Sequence, residues 1–362
     1  MIATIYIILG IVLLVVGADF LVKGASNLAA MARVSPLVIG LTVVAFGTSA
    51  PELSVSLHSA LNNQADLALG NVVGSNICNV LLILGVSAMV APLMVAQQLL
   101  RLDIPIMIGV SGLVFFFGID GSLGVSDGII LFLGGVVYTL FLVYQSRRET
   151  NPEVQSEYAQ EYGPKQFAWN KLGIDLLAVV GGLVLLVVGS QLLVNGAISI
   201  AEALGISSLI IGLTVVAVGT SLPEFATSVM ASIRGERDIA VGNVVGSNIF
   251  NILVVLGASS ALSPDGIAIA PSLMTFDIPV MIAVAIICFP ICFHNNLISR
   301  WKGLLLLAYY VAYTLYLVLA TTQHDSTVMF GSTFKFVIVP LTILGLAALM
   351  LRSHFKTSKS KS

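Results

Sequence analysis

The sequence predicts an all-α polytopic membrane protein with two inverted five-helix repeats, giving 10 transmembrane helices, and one extra C-terminal transmembrane helix. Three observations predict this fold. The composition is 57% hydrophobic and only 9% charged, whereas a soluble domain has about 25% charged residues. A long sequence pattern occurs twice at a constant offset. Almost all lysines and arginines fall on one side of the predicted membrane, as cytoplasmic loops require.

Apolar runs of about 20 residues predict the individual spans, because that length crosses a bilayer as a helix. The first repeat covers residues 1–145 and the second covers 171–322. The spans are expected near 2–27, 36–60, 67–93, 102–119 and 126–145, and near 171–200, 208–233, 239–263, 275–294 and 299–320. An additional span is expected at 333–351, followed by a basic tail at 352–362.

A polar stretch, residues 146–170, separates the two repeats. Glu153, Glu157 and Glu161 recur every four residues within it, which is the spacing of one solvated helix face. We expect a cytoplasmic linker here. A regulatory cation sensor is the less favoured alternative.

The positions of the basic residues predict the orientation of the chain. Alternating the loops between the two sides of the membrane places every Lys and Arg except Lys335 on one side. Since these residues accumulate in the cytoplasm, we expect an outside N terminus, a cytoplasmic linker and tail, and a location in the inner (plasma) membrane. The loop Asn62–Asp66 has no basic residue, whereas its counterpart Arg234–Asp238 has two. This contrast predicts an inverted-topology repeat, an architecture typical of alternating access around a midplane site.

The duplicated pattern consists of two phrases. The first is GLTVVAFGTSAPE at 40–52 and GLTVVAVGTSLPE at 212–224, and the second is GNVVGSNICN at 70–79 and GNVVGSNIFN at 242–251. Each first phrase ends in a carboxylate, Glu52 or Glu224, near the middle of a predicted span. A lone carboxylate in hydrocarbon costs about 2.5 kcal/mol or more. Two at equivalent positions favour a bound cation over two protonated glutamates that hydrogen-bond to neighbouring helices.

The residues around each glutamate favour oxygen coordination of a cation. A glycine and a proline flank the Thr–Ser pair before each glutamate, and this combination is expected to break the helix and free carbonyl oxygens. In the second phrase, Ser75 and Asn79 lie one helical turn apart, as do Ser247 and Asn251. Carboxylate, carbonyl, hydroxyl and amide oxygens are ligands for Ca²⁺. For Asn76 and Asn248, which also recur, helix packing remains an equally good interpretation.

Charge balance adds a constraint. Two ionised glutamates balance one Ca²⁺ or two Na⁺. One binding site therefore holds either Ca²⁺ or Na⁺ but not both, as exchange requires. Histidine and cysteine do not recur at the repeated positions, which disfavours softer metals. Cys288 and Cys292 lie close to His294, but a fourth ligand is missing, so packing is the preferred interpretation there.

The paired GTSxPE and GNxxGSN phrases resemble the alpha repeats of the calcium/cation antiporter superfamily, particularly the prokaryotic sodium/calcium exchangers. The resemblance covers the alpha-1 motif at 40–90 and the alpha-2 motif at 212–262. It implies antiport of Ca²⁺ against Na⁺ or H⁺. The ligands that it implies are the carbonyls of Ala45 and Ala217 and the side chains of Thr48, Ser49, Glu52, Ser75, Asn79, Thr220, Ser221, Glu224, Ser247 and Asn251. Some relatives have aspartate where this chain has Asn251.

Glycine stripes in the first and sixth predicted spans bear on motion. Gly10, Gly17 and Gly24 recur every seven residues, and so do Gly182, Gly189 and Gly196. Seven residues are nearly two turns, so each set forms one smooth face. Close static packing and a pair of sliding gate helices both fit this pattern.

Two other function classes, a cation channel and an intramembrane enzyme, fit the sequence less well than an antiporter. A cation channel with uncoupled flow also needs buried oxygen ligands, but it has no need of two opposed half-sites. An intramembrane enzyme needs a nucleophile with a base, or a catalytic carboxylate pair, at a water-accessible cleft. We therefore expect no enzymatic activity and no cofactor. The expected partners are membrane lipid and inorganic cations, with no nucleic acid, and the oligomeric state is left open.

Overall fold

In a computed structural model of the chain, the structure describes residues 2–32, 34–148, 169–204 and 217–322. The predicted span at 333–351, the basic tail and most of the linker lie outside these residues, as does the first part of the predicted span 208–233. We call 2–148 the first half and 169–322 the second half.

The first half contains eight helical segments. They are α1 (Ile2–Ala32), α2 (Pro36–Ile39), α3 (Ala45–Thr48), α4 (Ala50–Leu61), α5 (Ala65–Cys78), α6 (Leu84–Val90), α7 (Ile104–Phe117) and α8 (Val125–Arg148). Three π-helical turns connect or precede them, at Gly40–Val44, Asn79–Ile83 and Leu99–Asp103. These turns insert an extra residue into a helix, a feature often found at functional sites.

The described part of the second half repeats this order. Its helices are α9 (Trp169–Ala203), α10 (Ala217–Gly219), α11 (Leu222–Arg234), α12 (Arg237–Phe250), α13 (Gly257–Leu262), α14 (Ile278–Phe293) and α15 (Arg300–Thr321). Its π-helical turns are at Asn251–Leu256 and Leu273–Asp277. Both fall where the first half has a π-helical turn.

Eight helices in the described residues are long and apolar enough to cross a bilayer. They are Ile2–Met31, Ala65–Val90, Leu99–Asp120, Val125–Gln145, Lys171–Ile200, Arg237–Leu262, Leu273–Phe293 and Arg300–Ala320. A ninth span is formed if Pro36–Thr48 and Ala50–Leu61, which are bent by 47° at the break between them, count as one. The prediction of a polytopic helical membrane protein is confirmed.

Two short antiparallel strand pairs join the halves. Strand β1 (Leu93–Met94) pairs with β4 (Leu297–Ile298), and β2 (Ser122–Leu123) pairs with β3 (Ile267–Ala268). In each pair, one strand comes from the first half and its partner from the second. The two halves are therefore connected by backbone hydrogen bonds outside the helices.

The long helices α1 and α9 pack on each other through their glycine stripes. A Cβ atom added to Gly17 would lie 2.8 Å from the carbonyl oxygen of Gly182, and one added to Gly182 would lie 2.7 Å from that of Gly17. Gly10 and Gly189 oppose each other in the same way. The backbones thus approach so closely that only glycine fits, which supports the packing interpretation of the stripes.

Helices α5 and α12 occupy the centre of the molecule and carry the second phrase of each repeat. Every residue of α12 from Ile239 to Ile249 is buried. A Cβ atom on Gly246 would lie 2.7 Å from the Cα of Leu41, so this helix packs directly on the π-helical turn Gly40–Val44. The second phrase of the second half therefore contacts the first phrase of the first half.

Candidate cation-binding site

Each glutamate of the repeated phrase lies just after a break in a helix. Ser49, between α3 and α4, has a φ of −81° and a ψ of 9°, and Ser221, before α11, has a φ of −86° and a ψ of 7°. A proline follows in the first turn of each new helix, as the sequence predicted. Glu52 and Glu224 therefore lie in first turns, where the helix dipole favours negative charge.

The two broken helices exchange hydrogen bonds between the halves. The hydroxyl of Ser49 donates to Oε1 of Glu224 over 2.9 Å, and the hydroxyl of Ser221 donates to Oε1 of Glu52 over 3.1 Å. Both carboxylates are fully buried, with 0% exposure. Each acidic group is consequently held by a serine from the opposite half.

The threonines before these serines make a second crossed pair. Thr48 donates from Oγ1 to Oδ1 of Asn243 over 3.2 Å, and Thr220 donates to Oδ1 of Asn71 over 3.2 Å. Oγ1 of Thr48 also lies 3.1 Å from the backbone carbonyl oxygen of Val44, which shares the single hydroxyl proton with Asn243. The lone pairs of each hydroxyl remain for another contact. Both threonines thus have a defined orientation.

Asn71 and Asn243 are functional candidates that were not singled out from the sequence. The side-chain nitrogen of Asn71 donates to Ser56 Oγ over 2.9 Å and to the backbone carbonyl of Glu52 over 3.3 Å. Asn243 makes the equivalent bonds in the second half, at 2.9 and 3.4 Å. Their sequence signal is the GN dipeptide that opens both second phrases.

The second phrases contribute one serine contact to a carboxylate and three further buried polar side chains. Oγ of Ser75 lies 3.5 Å from Oε1 of Glu52, which is long for a hydrogen bond. Asn79 and Asn251 are the first residues of two π-helical turns, and both are buried. Ser247, the counterpart of Ser75, is also fully buried.

Five buried oxygens of this group have no hydrogen-bond partner among the residues that the structure describes. They are Glu52 Oε2, Glu224 Oε2, Asn79 Oδ1, Asn251 Oδ1 and Ser247 Oγ. An unsatisfied buried polar atom costs about 1–3 kcal/mol, so a ligand that contacts these oxygens would recover free energy. Carboxylate, amide and hydroxyl oxygens form the donor set of a hard cation such as Ca²⁺. A transported cation therefore fits these residues as the substrate.

The two predicted carbonyl ligands lie in the helical segments before the two breaks. The carbonyl oxygen of Ala45 accepts a hydrogen bond from the backbone nitrogen of Ser49 over 3.0 Å and lies 3.4 Å from Oγ1 of Thr48. Ala217 is the first residue of α10. Except for Ser75, which contacts Glu52 of its own half, the other predicted ligands either join the crossed hydrogen bonds or carry the unsatisfied oxygens described above.

The thiols of Cys288 and Cys292, which were considered for a soft-metal site, contact each other. Sγ of Cys288 lies 3.8 Å from Sγ of Cys292, and both residues are buried. Within the described ranges, no three His, Cys, Asp or Glu side chains form a group able to hold a metal ion.

A profile of the family described as sodium/calcium exchanger protein matches residues 2–146 and 174–319. This chain belongs to the sodium/calcium exchanger family. Within the exchanger family, it is 40% identical to the putative antiporter CaxA of Alkalimonas amylolytica over 316 residues, 86% of this chain and 98% of CaxA. It is 40% identical to the inner membrane protein YrbG of Escherichia coli over 304 residues, 82% of this chain and 90% of YrbG.

The fold agrees with that of a solved exchanger. The sodium-calcium exchanger NCX_Mj, soaked with Na⁺ and Sr²⁺, matches with a TM-score of 0.74 and 32% identity, covering 86% of this chain and 98% of that one. The resemblance inferred from the repeated phrases is therefore confirmed. The chain is a multi-pass membrane protein of an exchanger family, and cation antiport is the activity that the family supports.

Proposed function

We propose that this protein is a secondary active antiporter that exchanges Ca²⁺ for Na⁺ by alternating access at one buried site. The observation that carries the proposal is the pair of crossed bonds, Ser49 to Glu224 and Ser221 to Glu52, which builds one site from two halves. Around it lie the unsatisfied oxygens of a hard-cation cage. Proteins named as exchangers with the same fold support the choice of ions.

The proposed ligands are those that the family resemblance implies. They are the carbonyls of Ala45 and Ala217 and the side chains of Thr48, Ser49, Glu52, Ser75, Asn79, Thr220, Ser221, Glu224, Ser247 and Asn251. Glu52 and Glu224 are the only carboxylates among these proposed ligands. At the ligand position where some relatives have aspartate, this chain has Asn251. Two negative charges buried together in a low dielectric need cationic compensation at all times. One Ca²⁺ or two Na⁺ supply it, so the loads compete for the same oxygens.

We infer that the two repeats, 1–145 and 171–322, have opposite orientations in the membrane. Their relative motion would expose the site to each side in turn. The reciprocal hydrogen bonds and the strand pairs between halves support a twofold relation. The basic residues favour an outside N terminus with the linker 146–170 and the tail 352–362 in the cytoplasm. An additional span at 333–351 completes the proposed topology. The name of YrbG favours the inner membrane.

Under this proposal, Na⁺ entering from outside displaces Ca²⁺ to the outside, and the protein loaded with Na⁺ then switches faces. Protons replace Na⁺ in the alternative form of the mechanism, since a buried carboxylate also binds H⁺. No catalytic chemistry and no cofactor are needed for either cycle. A channel with uncoupled flow is disfavoured by the buried, crossed geometry of the site.

The test is ⁴⁵Ca²⁺ uptake into proteoliposomes under an imposed Na⁺ gradient, an imposed pH gradient, or neither. Removing one charge of a buried ionic cluster costs about 3 kcal/mol or more, so Glu52→Gln and Glu224→Gln should each lower gradient-driven uptake at least about 100-fold. Asp66→Asn makes the same chemical change at an exposed position and should have little effect. Full uptake in both glutamate variants would exclude this site, and equal flux without a counter-ion gradient would favour the channel.

A further inference from the structure

Four asparagines of the second phrases form a closed set of hydrogen bonds between α5 and α12. Asn79 donates from Nδ2 to Oδ1 of Asn248 over 3.0 Å, and Asn251 donates to Oδ1 of Asn76 over 3.2 Å. Asn76 in turn donates to the backbone carbonyl of Asn248 over 3.2 Å, and Asn248 donates to that of Asn76 over 3.3 Å. All four side chains are buried, with at most 2% exposure.

Two methionines outside the repeated phrases accept further contacts from this set. Nδ2 of Asn76 lies 3.8 Å from Sδ of Met281, and Nδ2 of Asn248 lies 3.4 Å from Sδ of Met107. Each of these two nitrogens therefore has a carbonyl and a sulfur as acceptors for its two protons. Their side-chain oxygens are occupied by Asn79 and Asn251.

These contacts distinguish the oxygen from the nitrogen in the side-chain amides of Asn79 and Asn251. The nitrogens of Asn79 and Asn251 are used by the partner asparagines, whereas their oxygens are buried and accept no bond from any described residue. An amide rotated by half a turn would present N–H donors to the cage instead, and it would bring Oδ1 against the Oδ1 of its partner. Both changes are unfavourable, the first for a bound cation and the second for two acceptors.

We propose that Asn76 and Asn248 are positioning residues that hold the oxygens of Asn251 and Asn79 toward the transported cation. The inference rests on the proposed function and deepens it. Each orienting hydrogen bond runs between the halves. Asn248 of the second half orients Asn79 of the first, and Asn76 of the first half orients Asn251 of the second. Helix packing, the open alternative for Asn76 and Asn248, predicts no such selective link to the ligand of the opposite half.

A double-mutant cycle on the full-length protein in proteoliposomes tests the link, with the Ca²⁺ concentration that gives half-maximal Na⁺-driven ⁴⁵Ca²⁺ uptake as the readout. Asn248→Ala should raise this concentration about 10-fold, as expected when a hydrogen bond that orients a ligand is lost. In an Asn79→Ala background the same change should add no more than about 2-fold, because the ligand that it orients is gone. In an Asn251→Ala background its effect should remain about 10-fold.

Two controls separate positioning from general damage. Met107→Leu keeps the volume of the side chain but removes the sulfur acceptor from Asn248, and it should change the half-maximal concentration by less than about 2-fold. The mirror cycle, Asn76→Ala with Asn251→Ala, gives the same test through the other pair if Asn248→Ala yields too little folded protein.

The outcomes are distinct. Selective non-additivity of Asn248 with Asn79 and of Asn76 with Asn251 supports the proposal. An equal rise of the half-maximal Ca²⁺ concentration in the Asn79→Ala and Asn251→Ala backgrounds would overturn it. Asn248 and Asn76 would then be packing residues. If Asn79→Ala, Asn251→Ala and the two glutamate variants all transport normally, the ion site itself is wrong and both proposals fall together.

Discussion

The hydroxyl of Ser49 lies 2.9 Å from Oε1 of Glu224, although 175 residues separate them in the chain. The counterpart bond, from Ser221 to Glu52, is 3.1 Å long. In both cases one carboxylate oxygen is occupied by the opposite half and the other has no partner in the described part of the chain. Neither half alone therefore provides a complete environment for its own acidic group.

Removing either of these hydroxyls should weaken ion binding to a similar extent. Hydrogen bonds to charged groups contribute about 1.5–3 kcal/mol, so Ser49→Ala and Ser221→Ala should each raise the half-maximal Ca²⁺ concentration at least about 10-fold. Ser111→Ala is the matched control, because Ser111 is also buried but, among the described residues, bonds only to the carbonyl of Met107 in its own helix. A large effect in one serine variant with none in the other would contradict the reciprocal arrangement.

The contact between α1 and α9 predicts a contrast between two adjacent glycines. A Cβ atom at Gly182 would lie 2.7 Å from the carbonyl oxygen of Gly17, whereas one at Gly181 meets no atom within 4 Å. Gly182→Ala should therefore force the helices apart and lower the maximal exchange rate about 10-fold or more. Gly181→Ala should leave the rate unchanged.

Measuring the half-maximal Ca²⁺ concentration of the same variants separates the two interpretations of the glycine stripes. If α1 and α9 slide as a gate, Gly182→Ala slows exchange while this concentration stays within about 2-fold. A parallel loss of affinity or of thermal stability would instead indicate that the glycines serve static packing alone.

Most of the fold followed from local signals in the sequence. Apolar length predicted the spans, and the glycine and proline around Ser49 and Ser221 predicted the breaks in the helices. The π-helical turns that begin at Asn79 and Asn251 were not foreseen, since they carry no proline or glycine signal and arise where two helices pack closely.

The site was predictable as a set of residue types but not as a network. Duplication marked Glu52 and Glu224, because a repeated charge in hydrocarbon has a high cost. It also marked Asn71 and Asn243, but their bonds to threonines of the opposite half depend on how the halves meet. Contacts between residues so distant in sequence have no local pattern that one chain can reveal.

Two aspartates outside the ion site, Asp103 and the partly buried Asp277, predict an effect on stability. Asp103 is fully buried and accepts hydrogen bonds from Tyr138 over 2.8 Å and from Gln98 over 3.3 Å. Asp277 accepts the equivalent bond from Tyr313 over 2.9 Å. These pairs join α8 to the start of α7 and α15 to the start of α14.

Tyr138→Phe should lower the free energy of unfolding by about 1.5–3 kcal/mol, because it removes a hydrogen bond from a buried acidic group. Thermal unfolding of the purified protein in detergent micelles measures the change. Tyr6→Phe, the same substitution on the exposed surface of α1, should shift the melting temperature little. Equal melting temperatures for Tyr138→Phe and the unaltered protein would show that the bond contributes nothing.

An ion pair links α1 to the end of α11 in a way that the other half cannot copy. The guanidinium of Arg234 contacts the carboxylate of Asp19. The residues at the corresponding positions of the other repeat are Asn62 and Gln191, which carry no charge. Gln191 bonds instead to Asn195 in its own helix, over 3.1 Å. The middle of α1 is therefore held to the end of α11 by charge, while α9 has no equivalent ion pair among the described residues.

Breaking this pair should favour opening of the protein at that end, which the proposed topology places in the cytoplasm. A partly exposed ion pair contributes up to about 1 kcal/mol, so Arg234→Gln should lower the half-maximal Ca²⁺ concentration on the cytoplasmic side about 2- to 5-fold. Because Lys23 also pairs with Asp19 over 3.1 Å, the charge reversal Asp19→Arg with Arg234→Asp is made together with Lys23→Gln, and it should restore the value of Lys23→Gln alone. Arg237→Gln removes the same charge from the same loop without touching Asp19, so an equal response to it would attribute the effect to loop charge rather than to the pair.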